Sequence, residues 1–117
     1  MFDKICIIGC GLIGSSILRN LSNNKISKSV TVFDKSNDTI RYLKKENLCK
    51  EISKNIQSAV QDSDLVILAV PLSSYKEVLL SAKDYFKKDA IVTDTGSVKK
   101  EVDKIFESLN IKNIFWL

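Results

Sequence analysis

Six consecutive apolar residues, Leu65-Val66-Ile67-Leu68-Ala69-Val70, run without a polar interruption. A strand with one face in water alternates apolar and polar side chains. A run without alternation belongs to a strand covered on both faces, the situation of a central strand in a parallel sheet. Shorter apolar segments recur on either side: Lys4–Ile8, Ser29–Phe33, Ala90–Asp94 and Asn113–Leu117, with Leu48–Ile52 as a weaker edge strand. Between them the apolar residues adopt helical spacing. Ile13, Ile17, Leu18 and Leu21 share one face, as do Val78, Ala82, Tyr85 and Phe86, and Val98, Val102, Ile105, Phe106 and Leu109; Ile40, Leu43 and Lys44 mark a shorter helix.

Strands alternating with helices this often require parallel strands joined by right-handed crossovers. The expected fold is α/β: a Rossmann-type doubly wound parallel sheet with strand order 3-2-1-4-5-6, in three layers, formed by one domain over residues 1–117. At 117 residues, 44% hydrophobic and 27% charged, the chain is long enough for a single core without staples.

Composition removes several function classes. No apolar run approaches the ~18 residues of a membrane span, and the N-terminus lacks a signal-peptide layout, so a cytoplasmic protein without a membrane partner is expected. The net charge of +4 comes from scattered lysines such as Lys25, Lys44, Lys50 and Lys83. No basic stripe with interleaved aromatics is present, which argues against a nucleic-acid partner. Cys6, Cys10 and Cys49 contain no C-x-x-C pair and read as reduced apolar residues, with no metal site. There is no histidine, so an imidazole base would have to come from elsewhere.

Gly9-Cys10-Gly11-Leu12-Ile13-Gly14 is G-x-G-x-x-G, directly after a strand and before a helix. Gly9 permits the tight turn, Gly11 lets a pyrophosphate approach the backbone, and Gly14 lets the helix pack against the sheet. Leu12 and Ile13 belong to the first helical turn, whose N–H groups and dipole favour phosphate. Asp34 lies 20 residues beyond Gly14 at the end of the second strand. That spacing puts a carboxylate at the adenosine ribose. It would repel a 2′-phosphate, which favours NAD over NADP, although the adjacent Lys35 and Ser36 could partly compensate. Val70 and Pro71 end a strand beside the switch point of the sheet, where a cofactor contact and a plain strand stop are equally good readings. Ser97, in Thr93-Asp94-Thr95-Gly96-Ser97-Val98-Lys99, suits a helix N-cap, and on pattern alone that role outranks a chemical one. Lys99 and Lys100 put positive charge at a helix N-terminus, against the dipole.

Gly9–Ser15, Asp64–Pro71 and Val92–Lys99 together resemble the N-terminal nucleotide-binding domain of the prephenate/arogenate (cyclohexadienyl) dehydrogenase family, and the resemblance runs over Met1–Leu117. It implies an oxidative decarboxylation in tyrosine biosynthesis. Hydride leaves the ring carbon bearing the hydroxyl for the nicotinamide of NAD, or of NADP, and a base takes the hydroxyl proton. The ring carboxylate departs as carbon dioxide, giving 4-hydroxyphenylpyruvate from prephenate or tyrosine from arogenate. By position Ser97 would help orient the hydroxyl and a catalytic histidine, and would also border the cofactor, while Gly9–Gly14 and Asp34 carry over as cofactor contacts. The family's His-Pro segment and its helical substrate-binding and dimerisation domain have no counterpart in this sequence, whose final strand lacks a covering element. We therefore expect cofactor binding without turnover by this chain, and a homodimeric parent enzyme acting on a small-molecule substrate. Two other readings stay open: the cofactor domain of another hydroxyacid-type dehydrogenase, and a stand-alone NAD(H)-sensing module without catalysis.

Overall fold

The computed structural model of the protein describes residues 2–49, 51–95 and 99–117, with Leu12, Ile13, Ser22 and Lys99 described by their backbone alone. Strands β1 (Phe2–Ile8), β2 (Ser27–Phe33), β3 (Glu51–Ile52), β4 (Leu65–Leu68), β5 (Ala90–Asp94) and β6 (Ile114–Trp116) form one sheet. The order is β3-β2-β1-β4-β5-β6 and every pairing is parallel, as the alternation of strands and helices predicts.

Helices α1 (Leu12–Asn24), α2 (Asn37–Lys45), α3 (Ile56–Val60), α4 (Tyr75–Ala82) and α5 (Lys99–Leu109) cover the two faces. Alternation along β1 divides the core between them. Cys6 and Ile8, with Val66, Leu68 and Val92, pack against α3, α4 and α5 through Ala59, Val60, Leu79 and Val102. Ile7 and Val32 pack on the other face against Leu18 of α1 and Leu43 of α2. Each fully buried leucine contributes about 1.5–3 kcal/mol relative to an exposed one.

Asp64 ties the sheet together at the edge remote from the glycine turn. Its Oδ2 accepts the backbone N–H of Asp3 (2.8 Å) and of Lys4 (3.3 Å), and its Oδ1 accepts from Lys87 Nζ (2.5 Å). The start of β1 is thereby held beside the start of β4.

Three local readings of the sequence are corrected. The central apolar run does not stay in the sheet to Val70: Ala69 N–H makes the last bond, to Ile8 O (2.8 Å), and the chain then bends away around Gly9. The helix after Pro71 begins with a 3₁₀ turn, Leu72–Ser74, and ends at Ala82, where Tyr85 N–H bonds Ala82 O in a tight turn toward β5. Tyr85 is consequently exposed and Phe86 alone packs against the core. Helix α3 has no counterpart in the sequence reading, although Asn55 announces it by accepting the N–H of Ser58 (2.8 Å). No described helix is long and apolar enough to cross a membrane.

Candidate functional site

The cleft opens at the C-terminal ends of β1, β2 and β4. Crossovers leave β1 toward one face and β4 toward the other, so the sheet cannot close over this edge. Gly9 has φ +85°, a left-handed conformation that penalises side chains, and its N–H donates to Phe33 O (2.7 Å). A β-carbon there would lie 2.7 Å from both Ala69 O and Val70 Cγ1. One on Gly14 would lie 2.6 Å from Gly9 O. These two glycines are required by packing.

Gly11 is different. A β-carbon on it would meet nothing within 4 Å, so the fold itself does not need glycine at this position. Gly11 is also the residue before α1, it makes no side-chain cap, and the first turn of α1 holds no acidic residue. The first turn of α1 thus offers its N–H groups beside open space with no acidic side chain of its own, which suits an anion.

Asp34 links the glycine turn to the loop after β2. Its Oδ2 accepts the N–H of Cys10 (2.6 Å) and its Oδ1 that of Ser36 (2.8 Å). Ser36 in turn caps α2, its hydroxyl accepting Thr39 N–H (3.3 Å). A cavity of about 330 Å³ continues from there across β1. Gly9, Gly11, Asp34, Lys35, Val70 and Pro71, all named from the sequence, line it together. Gly14 sits behind the turn rather than in the cavity, and Leu12 and Ile13 open α1. Ser97 lies outside the described residues. The sequence reading missed as lining residues Ile56 of α3, Ser74, and Glu77 and Val78 of α4, along with Ile8, Phe33 and Ala69. The cap at Asn55 followed by Ile56, Ala59 and Val60 at helical spacing was the available signal for the first; the others depend on where α4 starts.

Two buried residues adjoin lining residues in the chain. Tyr75 is buried in α4 with its hydroxyl 3.5 Å from Asp94 Oδ2 at the end of β5. Cys10 is buried behind the turn, and burial pushes its thiol pKa up, so it stays protonated at neutral pH.

Residues 4–97 match the family described as NADP oxidoreductase, coenzyme F420-dependent. The cyclohexadienyl dehydrogenase of Zymomonas mobilis is 38% identical over 113 residues, covering 97% of this chain and 38% of that protein. The prephenate dehydrogenase of Lactococcus lactis is 30% identical over 116 residues, covering 95% of this chain and 32% of that protein. The crystal structure of prephenate dehydrogenase from A. aeolicus, in complex with hydroxyphenyl propionate and NAD+, matches with a TM-score of 0.82 and 24% identity over 97% of this chain and 40% of that one. Glycerol-3-phosphate dehydrogenases [NAD(P)+] also match, at 22–29% identity. The chain spans between 32% and 40% of the length of the first three. With this fold, this cleft and this match over residues 4–97, the chain belongs to the NADP oxidoreductase, coenzyme F420-dependent family of NAD(P)-dependent oxidoreductases.

Proposed function

We propose that the chain is the cofactor-binding domain of a prephenate dehydrogenase, which oxidatively decarboxylates prephenate to 4-hydroxyphenylpyruvate, and that it prefers NAD. The observation that carries this reading is the 38% identity to a cyclohexadienyl dehydrogenase over 97% of the chain.

The residues present fit a dinucleotide. The open space at Gly11 lies at a helix N-terminus whose first turn has no acidic residue, and Asp34 stands at a cavity with many apolar lining residues. The N–H groups opening α1, including those of Leu12 and Ile13, would bind the pyrophosphate. Asp34 would accept hydrogen bonds from the ribose hydroxyls and repel a 2′-phosphate. Val70 and Pro71 would form one wall for the adenosine, with Lys35 at its entrance. When bound, the nicotinamide supplies the hydride acceptor. Ser97 is proposed to border the cofactor and to orient the substrate hydroxyl. The chain has no histidine, so a histidine that takes the hydroxyl proton would be supplied by another segment. We assign that base, the substrate carboxylate sites and the homodimer contacts to a helical domain beyond the region in hand, consistent with the relatives' greater length.

The test has two arms. The purified chain is expected to bind NAD in calorimetry and to give no prephenate-dependent NADH. A chimera carrying this chain in place of the matching region of the Zymomonas mobilis enzyme is expected to give it. Absence of NAD binding overturns the cofactor assignment; NAD binding with an inactive chimera overturns the prephenate assignment. In the second case the matches to glycerol-3-phosphate dehydrogenases favour the cofactor domain of a different dehydrogenase.

A further inference from the structure

We propose that Glu77 reads the 6-amino group of the adenine ring, so that this cleft selects an adenine dinucleotide over a 6-oxopurine one. The inference rests on the dinucleotide reading above and goes beyond it, because an apolar slot alone would accept any flat base.

The cavity has polar groups at its two ends and apolar walls between. Asp34 and Lys35 follow β2, and Ser74 and Glu77 follow β4. Since β2 and β4 flank β1 on opposite sides, the two polar pairs are separated across the width of β1. Phe33, Ile56, Val70, Pro71 and Val78 are apolar residues of the same lining. A ribose held at Asp34 directs its base into this apolar section. The polar edge of that base must then meet a partner or forfeit its hydration uncompensated.

Glu77 is suited to be that partner. It lines the cavity and is exposed, and among the described residues it has neither a hydrogen bond nor an ion pair, so its carboxylate is available. An ionised carboxylate only accepts hydrogen bonds. The exocyclic amino group of adenine donates, so the two match. The 6-oxo group of hypoxanthine or guanine accepts, and would face the carboxylate as one acceptor against another; the neighbouring N1–H meets the carboxylate only if the base shifts from the position that matches the 6-amino group. The 6-oxo edge, closed into the apolar section, then loses its water without gaining a partner. Glu77 also lies in the first turn of α4, where an acidic residue complements the helix dipole. That purely structural role predicts no preference between bases.

The experiment compares NAD with nicotinamide hypoxanthine dinucleotide, which has a 6-oxo group and an N1–H where adenine has a 6-amino group and an unprotonated N1, by titration calorimetry on the purified chain. Wild type is expected to bind NAD about tenfold more tightly than the hypoxanthine analogue. In Glu77→Gln the preference should shrink toward unity, because a carboxamide can present its oxygen to a 6-amino group or its N–H to a 6-oxo group. Glu77→Ala should lose the preference by weakening NAD and by relieving the acceptor–acceptor conflict with the 6-oxo group. Equal affinity of wild type for both dinucleotides, or an unchanged ratio in the two variants, overturns the assignment while the cofactor reading stands. Failure of wild type to bind either dinucleotide overturns both.

Discussion

The backbone N–H of Cys10 donates to Asp34 Oδ2 at 2.6 Å, joining the second residue of the glycine turn to the end of β2. The other oxygen of the same carboxylate takes the N–H of Ser36, so the side chain is held from two directions. Asp34 therefore has two roles that a single substitution removes together. It orients the glycine turn, and it places a negative charge at the entrance to the cavity.

Asp34→Ala should raise the Kd for NAD about tenfold or more, the loss expected when charge-assisted hydrogen bonds go. The variant should also narrow the gap between NAD and NADP, since the charge that repels a 2′-phosphate is gone. Titration calorimetry with both dinucleotides checks this. An unchanged Kd for NAD would remove Asp34 from the binding site.

The three glycines of the turn should separate stability from binding. Gly9→Ala and Gly14→Ala force a β-carbon to within 2.7 Å and 2.6 Å of backbone oxygens, and Gly9 adds a left-handed φ. Overpacking of this kind costs about 1–3 kcal/mol, a Tm decrease of at least several degrees for a domain this size. Gly11→Ala should melt close to wild type, because nothing lies within 4 Å of the new carbon, yet bind NAD much less tightly. A Gly11→Ala protein with intact affinity would mean that the phosphates do not approach there.

The same contrast explains what was readable beforehand. Strand order, the glycine turn and Asp34 follow from apolar periodicity and a fixed spacing, which are properties of the chain alone. The end of β4 did not, because Ala69 and Val70 are as apolar as the strand before them. Where they leave the sheet, Gly9 packs so close that a β-carbon on it would meet Ala69 O and Val70 Cγ1, a contact between segments 60 residues apart in sequence. Ile56 and Glu77 were missed for a related reason. Helix α3 has five residues, so its signal is one cap at Asn55 and a single turn of apolar spacing, and α4 starts only after a 3₁₀ turn.

Cys6 should resist alkylation in the native protein. Burial pushes its thiol from the ordinary 9.0 up to about 12, so almost no thiolate exists at pH 7. Iodoacetamide followed by mass spectrometry should leave Cys6 unmodified in the native state and label it in denaturant. Since the folded pKa is raised, the stability linked to this thiol is complete below about 9 and is lost as pH rises toward 12. Cys6→Ala should melt lower than wild type at pH 7 because it leaves a cavity, but lose less additional stability between pH 9 and 11.

Asp64 predicts the acid limb. The hydrogen bond from Lys87 is the main cause that holds its carboxyl below the ordinary carboxylate range, with the N–H of Asp3 next and that of Lys4 adding to it. A depressed folded pKa means that this contribution is present above the unfolded value. It is lost as pH falls through the folded value. Lys87 has the opposite sign: the same bond raises its pKa, so its contribution persists through neutral pH and disappears only above the usual lysine range. Thermal melts should therefore be flat from pH 8 to 5 with respect to this pair and fall below about pH 4. Asp64→Asn should lower Tm at pH 7 and flatten the decline below pH 4, because no carboxyl remains to be protonated. Lys87→Met should flatten it only in part, since the N–H groups of Asp3 and Lys4 still favour the ionised carboxylate. Parallel Tm curves for wild type and Asp64→Asn from pH 7 to 3 would show that the tie between β1 and β4 does not govern acid stability.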